Sequence, residues 1–243
     1  HAMNLSAVVA NEIAGSRKIP VMTYDSCTTD QMEPVYKFSG IPEITRSHMS
    51  HVENIRAVAF KTADALGRPY DELNLIVAHL NGRIIDSIDS NDGAFSPERA
   101  GNLPSRQLAQ LAFSGTFTKD ELMHRLEGNG GMVAYLGTAD GREVERRIEA
   151  GDAQAALVYQ AMAVQVSKEI GQLATDLCGK IDAIVLTGGL AHSKRFISWI
   201  RERVGFLAPL HLYPGEYEME SLAFGALRVL RGEEPLQEYK EEN

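Results

Sequence analysis

Cysteine is scarce in this chain: Cys27 and Cys178 are the only two in 243 residues. That excludes a disulfide framework and points to a reducing cytoplasm. Long apolar runs are missing too. No stretch approaches the roughly 18 residues that a bilayer span needs, so no membrane partner is expected, and no signal peptide is recognisable. Positive charge is in deficit, with 24 Lys and Arg against 33 Asp and Glu, for a net charge of −9. A nucleic-acid surface calls for basic patches and is therefore not expected either. Repeats and low-complexity segments are absent, and so is any long polar linker between tethered domains. The chain begins at His1 without a methionine, and helical spacing starts at Ala2, so a start inside a larger protein, or a trimmed one, is expected.

What is present is an ordinary globular composition, 44% apolar and 23% charged, with strand patterns alternating with helix patterns. That makes the fold class α/β. The spacing of apolar residues predicts helices over 2–14, 51–66, 105–113, 119–127, 142–150, 152–178, 193–204 and 217–230. Thr118 and Glu121 have the spacing of a capping box. In the long helix, Leu157, Met162, Val166, Ile170 and Leu173 are placed on one face. Strands are predicted over 20–25, over "LNLIVAHL" (Leu73–Leu80) as one central strand buried on both faces, over "GRIIDSID", "DAIVLTGG" and "LHLYPGE", with a short one inside "GNGGMVAYLG". Asn81-Gly82 reads as a hairpin turn.

Several constellations could carry chemistry. "IDAIVLTGGLAHSKR" runs a buried strand into Gly188-Gly189, with a helix starting at Ser193. Glycines admit a close ligand, and free N–H groups at a helix start suit an anion. No GK[ST] follows, so it is not a P-loop; a plain tight strand-to-helix turn is the alternative. Asp25 ends a strand where α/β sheets bind ligands, and would serve equally as a turn cap. His79 closes a buried run and could be a core histidine. His48 and His51 have i,i+3 spacing without a third ligand nearby, a poor zinc site. Arg99, in a loop stiffened by Pro97, Gly101 and Pro104, suits an anion; a salt bridge to Glu98 or Asp92 is as good a use. Glu216, Glu218 and Glu220 are placed on the first turn of the last helix, where acids are favoured anyway.

Taken together, "DQMEPVYKFSGIPEI", "PYDELNLIVAHL", "FSPERAGNLP", "GGMVAYLGT", "REVERRIEAGD", "IDAIVLTGGLAHSK" and "YPGEYEMESLAFGALRVLRGEEP" resemble, in order, the acetate kinase family of the sugar kinase/actin superfamily, and within it the butyrate kinases. The resemblance implies two ribonuclease-H-like domains flanking a cleft. Residues 1–50 would be the remainder of the N-terminal domain and 51–243 the nucleotide-binding C-terminal domain. It implies transfer of the γ-phosphoryl of ATP to a short-chain carboxylate, giving acyl phosphate and ADP, with Mg²⁺, in a homodimer or larger homo-oligomer. Acetate or propionate kinase activity, or a non-catalytic nucleotide-binding module, are the alternatives.

The resemblance also implies roles. Asp25 matches the active-site aspartate, Arg99 the arginine that neutralises the moving phosphoryl group, and His51 and His79 the histidines that hold it. His1 and Asn4 match substrate-side groups. Asp140 and Arg142 match the adenine-contacting pair, and Gly188 and Gly189 the glycines under the nucleotide. Glu218, with Glu220 as second choice, matches the metal-linked glutamate. Two family segments are not found: a phosphate loop ahead of His1, and a glycine run with another strand between "AHL" and "NGRIID". Deleting a central strand would leave ladder groups unpaired at about 1–3 kcal/mol each, so the parent protein is expected to carry both segments.

Overall fold

The computed structural model describes residues 12, 15, 32–46, 52–76, 79–80, 83–89 and 91–234. The helix expected over 2–14 (apart from Glu12) and the strand expected over 20–25 lie outside them. So do His1, Asn4, Asp25, His48 and His51.

A sheet of five strands organises the chain: β1 (Asn74–Ile76), β2 (His79–Leu80), β3 (Arg83–Ile84), β4 (Ala183–Gly188) and β5 (Leu210–Pro214), in the order β3-β2-β1-β4-β5. The first three form an antiparallel meander, and β4 and β5 run parallel to β1. Alternation along the strands sends side chains to two layers. Leu75, Ala183 and Val185 meet Val58, Ala59 and Ala63 of α1 (Val52–Leu66). Ile76 and Ile184 face the opposite layer, built on α6 (Ala153–Asp176) and α7 (Lys194–Val204). Between the meander and α6 lie α2 (Ser105–Ala112), α3 (Lys119–Leu126), α4 (Gly131–Leu136) and α5 (Gly141–Glu149). α8 (Glu218–Leu230) closes the described chain against α1.

The helices start where capping chemistry places them. Thr118 and Glu121 form a reciprocal capping box on α3. Asp152 accepts from Ala155 N at 2.9 Å and caps α6. Ser193 accepts from Phe196 N at 2.9 Å and caps α7. Burial locks α6 to its neighbours: Tyr159 is 1% exposed and lies 5.1 Å from the Phe196 ring and 6.1 Å from the Trp199 ring, centroid to centroid. Aromatic pairs of this kind add about 0.5–1.5 kcal/mol each beyond their buried area.

Three expectations are corrected. "LNLIVAHL" is not one strand. β1 stops at Ile76, the chain reverses, and His79 pairs back onto Leu75 in β2 and onward to Ile84 in β3. Three strands must be drawn from Asn74–Ile84 alone, so each is two or three residues long. His79 therefore belongs to the middle strand of the meander; the turn expected at Asn81-Gly82 lies outside the described residues. "GGMVAYLG" is helical, not a strand: Gly131 (φ 55°) turns the chain into α4, Gly137 (φ 74°) ends it, and Met132 is fully buried. Leu157 is 68% exposed; the buried face of α6 instead runs through Ala155, Val158, Tyr159, Met162, Ile170 and Leu173.

A polar cavity of about 410 Å³ separates α6 from the loop after β3, lined by Arg46, Asp89, Asp92, Lys168 and Glu169 among others. Glu169 Oε1 lies so close over Gly93 that a Cβ there would stand 2.6 Å from it. Burial pushes the Glu169 carboxyl up to about 7 from an ordinary 4.5. Between those values the folded chain binds more protons than the unfolded one, so this group's contribution to stability falls as pH rises through that window. Glu169→Gln should remove the slope. Above the upper value the variant should exceed the parent by on the order of 1–2 kcal/mol, the partly exposed site having discounted the full shift. Urea melts on both sides of the window check this, and a parent–variant difference that does not change with pH would contradict it.

Candidate active site

The carboxyl end of β4 is where open α/β sheets bind ligands. β4 leaves the sheet at Gly188, whose φ of 81° and extended ψ favour glycine. Gly188 and Gly215 exchange backbone hydrogen bonds at 3.0 and 3.1 Å, tying the ends of β4 and β5 together. A single 3₁₀ turn, Gly189–His192, then leads to the Ser193 cap of α7.

Beyond this turn opens a cleft of about 930 Å³. One wall is Gly189, Leu190, His192 and Ser193, the other Ala139 to Arg142 with Glu145, and Pro97 and Tyr159 complete it. Three of the predicted nucleotide residues, Asp140, Arg142 and Gly189, thus share one cavity, with Gly188 immediately behind it. Asp140 caps α5 by accepting from Arg142 N at 2.9 Å, and it also takes Arg142 Nε and Nη2 at 3.0 Å. The Arg142 side chain and backbone N–H hold the Asp140 carboxyl below the usual carboxylate range. The Arg142 side chain is 90% exposed, so it reaches a ligand without leaving its partner.

Arg99 stands two residues from Pro97 but does not line the cleft. Its Nε pairs with Glu127 Oε1 at 3.4 Å, rather than with the expected Glu98 or Asp92. The same two residues form an isolated antiparallel bridge. Among the described residues Glu127 is the acid that Arg99 pairs with. Glu218 begins α8, three residues after Gly215, at the same end of the sheet as Gly188. Glu220 pairs with Lys61 Nζ at 2.6 Å. Glu216 precedes the helix instead of standing on its first turn. Among the described residues no three His, Cys, Asp or Glu side chains gather as a metal cage. Magnesium in phosphoryl transfer asks for less, one or two carboxylates plus the substrate phosphates, and a single glutamate at this end of the sheet fits that donor set.

Sequence reasoning missed Glu145, Tyr159 and His192 as cleft residues. Glu145 was within reach: it is four residues beyond Gly141 on a helix and so shares its face.

The Acetokinase family model matches residues 43–205. The chain is 47% identical over 245 residues to the "Probable butyrate kinase 2" of Caldanaerobacter subterraneus subsp. tengcongensis, covering 96% of this chain and 69% of that protein. The chain belongs to the acetokinase family. That alignment spans 245 positions but takes in 96% of 243 residues, so about a dozen positions are filled only in the relative.

The fold agrees with this acetokinase assignment. The Porphyromonas gingivalis acetate kinase superposes with a TM-score of 0.81 at 19% identity, covering 93% of this chain and 68% of that one. A propionate kinase from Francisella tularensis gives 0.68 at 18% identity, covering 79% and 60%. The fold is the ribonuclease-H-like fold of the actin-like ATPases, with the strand order seen here. Among the described residues no helix is long and apolar enough to cross a membrane.

Proposed function

We propose that this acetokinase-family chain is a phosphotransferase with a carboxyl-group acceptor, moving the γ-phosphoryl of ATP to butyrate or another short or branched-chain fatty acid. One observation carries the reading: Asp140, Arg142 and Gly189 converge on a single cleft at the end of β4, in a chain 47% identical to a probable butyrate kinase. Residues 51–243 form the nucleotide-binding domain in this reading, and residues 1–50 belong to the domain on the other side of the cleft.

The chemistry asks little covalent work of the protein. A fatty-acid carboxylate is already anionic at neutral pH, so no strong general base is required. Asp25 then positions the acceptor or the metal rather than taking a proton. The Arg99 guanidinium, with His51 and His79, would neutralise the equatorial oxygens during in-line transfer. His1 and Asn4 stand on the acceptor side, Asp140 and Arg142 hold the nucleoside, and Gly188 and Gly189 let its phosphates approach. Glu218 would hold Mg²⁺, which would supply positive charge to offset that of the phosphates.

The test is a hydroxamate-coupled assay with Mg-ATP and acetate, propionate, butyrate or isobutyrate. The four-carbon acids should give the highest kcat/KM. One methylene is worth only about 1–3 kcal/mol in an apolar pocket, so a graded series is expected rather than an all-or-none one. A preference for acetate would make the chain an acetate kinase instead. A second reading, a nucleotide-binding module without turnover, is favoured by the compressed meander. Calorimetric ATP binding with no acyl phosphate formed from any acid would establish it.

A further inference from the structure

The cleft contains one charged group for which phosphoryl transfer has no use. Glu145 lies on α5 one turn beyond Gly141 and lines the cleft beside Tyr159, Leu190 and Ser193. Ser193 Oγ donates to Glu145 Oε1. The same Oγ accepts from Phe196 N, so its proton is directed at the carboxylate and its lone pair is taken up by the α7 cap. The carboxylate is therefore held by one oxygen in one orientation. Among the described residues no hydrogen bond or ion pair engages Oε2. The nearest guanidiniums on the helix are committed elsewhere: Arg142 to Asp140, and Arg146 Nε to the Arg142 carbonyl at 3.4 Å. The surroundings contributed by Pro97, Ala139 and Leu190 are apolar.

A fixed carboxylate oxygen in an apolar slot accepts hydrogen bonds and offers none. We propose that Glu145 reads the six-position of the purine, its free oxygen accepting from the exocyclic amino group of adenine and rejecting a carbonyl there. The inference rests on the nucleotide reading of the cleft and adds base specificity to it. A six-oxo purine sets its carbonyl against the carboxylate, two acceptors face to face. The Ser193 bond prevents the carboxylate from swinging away to find the neighbouring ring N–H. Buried groups left unpaired in this way are the strongest source of discrimination a polar site has. Glu145 is thus a specificity-determining residue, while Ser193 positions it.

The experiment measures ATP and ITP binding to the full chain by calorimetry, because the two differ only in the six-position group and in the proton that the six-oxo purine carries on the adjacent ring nitrogen. The parent should favour ATP on the order of tenfold or more. In Glu145→Gln the amide N–H can turn to the carbonyl, so ATP should weaken, ITP should strengthen, and the ratio should fall to one or invert. Glu145→Ala removes the acceptor without adding a donor and should bring the ratio to one; thermal melts confirm that both variants are folded. Variants that weaken both nucleotides equally, keeping the parent's ratio, would show a purely structural role through the α7 cap and overturn the proposal. A parent that binds ATP and ITP alike overturns the proposal while leaving the nucleotide site standing. A parent that binds neither brings down the site and the proposal together.

Discussion

A chain carrying Gly131→Ala is expected to lose most of its stability, because two stretches of backbone already fill the space a side chain would need. Gly131 has φ 55°, and a Cβ there would stand 1.8 Å from the Ser96 carbonyl oxygen and 2.7 Å from that of Arg99. Neither contact is with the movable end of a side chain. The Ser96 carbonyl also accepts from Met132 N at 3.1 Å, and the Pro97 carbonyl from Val133 N at 3.0 Å. The start of α4 and the loop carrying Arg99 are therefore interlocked through their backbones. The left-handed conformation alone costs about 1–2 kcal/mol without glycine, and displacing the loop adds to it, for a total above about 4 kcal/mol. Gly137→Ala is the matched control: φ is 74° but nothing lies within 4 Å of its Cβ, so only the conformational part should appear. Chemical denaturation of the two variants separates the effects. Equal losses would show that the backbone contact matters little.

The second large effect is expected at the residue this interlock holds. Arg99→Ala should lower kcat about 10³-fold while changing the KM for ATP only a few-fold, the range found for a charge that acts on the phosphoryl group in flight. Arg99→Lys should recover little, since a point charge does not replace a fork that spans two oxygens. The pairing of Nε with Glu127 orients that fork in the absence of substrate. If Arg99→Ala turned over at near the parent rate in the hydroxamate-coupled assay, Arg99 would be only the loop ion pair it forms at rest. The Gly131 and Arg99 results are linked, because a loosened Ser96–Arg99 loop should cost turnover before it costs nucleotide affinity.

Much of the scaffold was legible because it is written in local chemistry. Thr118, Asp152 and Ser193 cap their helices through hydrogen bonds a few residues long, so boundaries at α3, α6 and α7 could be read from spacing. β4 was legible as a β-branched run ending in two glycines, and those glycines located the cleft. The meander was not. Its strands are too short for a period to register, and the apolar run "LNLIVAHL" carries no turn signal within it. α4 was misread because a brief apolar run is equally at home in a strand, and its bounding glycines act through a positive φ that composition does not reveal. Leu157 was misassigned by choosing one of two neighbouring helical stripes; small residues, Ala155 and Ala163, mark the buried one. The Arg99–Glu127 and Glu145–Ser193 pairs join segments far apart in sequence, and no local pattern encodes such meetings.

The compressed meander has a consequence for how this protein would fail or be repaired. None of the cleft residues, from Pro97 through Asp140–Glu145 and Tyr159 to Gly189–Ser193, stands on β1, β2 or β3. Their support comes from β4 with the helices α5, α6 and α7. Under the proposed function, nucleotide capture and acyl transfer would therefore rest on different mechanical foundations. Changes of length between Ile76 and Arg83 are expected to act as a throttle on turnover alone, read as the rate of acyl phosphate formation, with ATP affinity as the quantity that stays still.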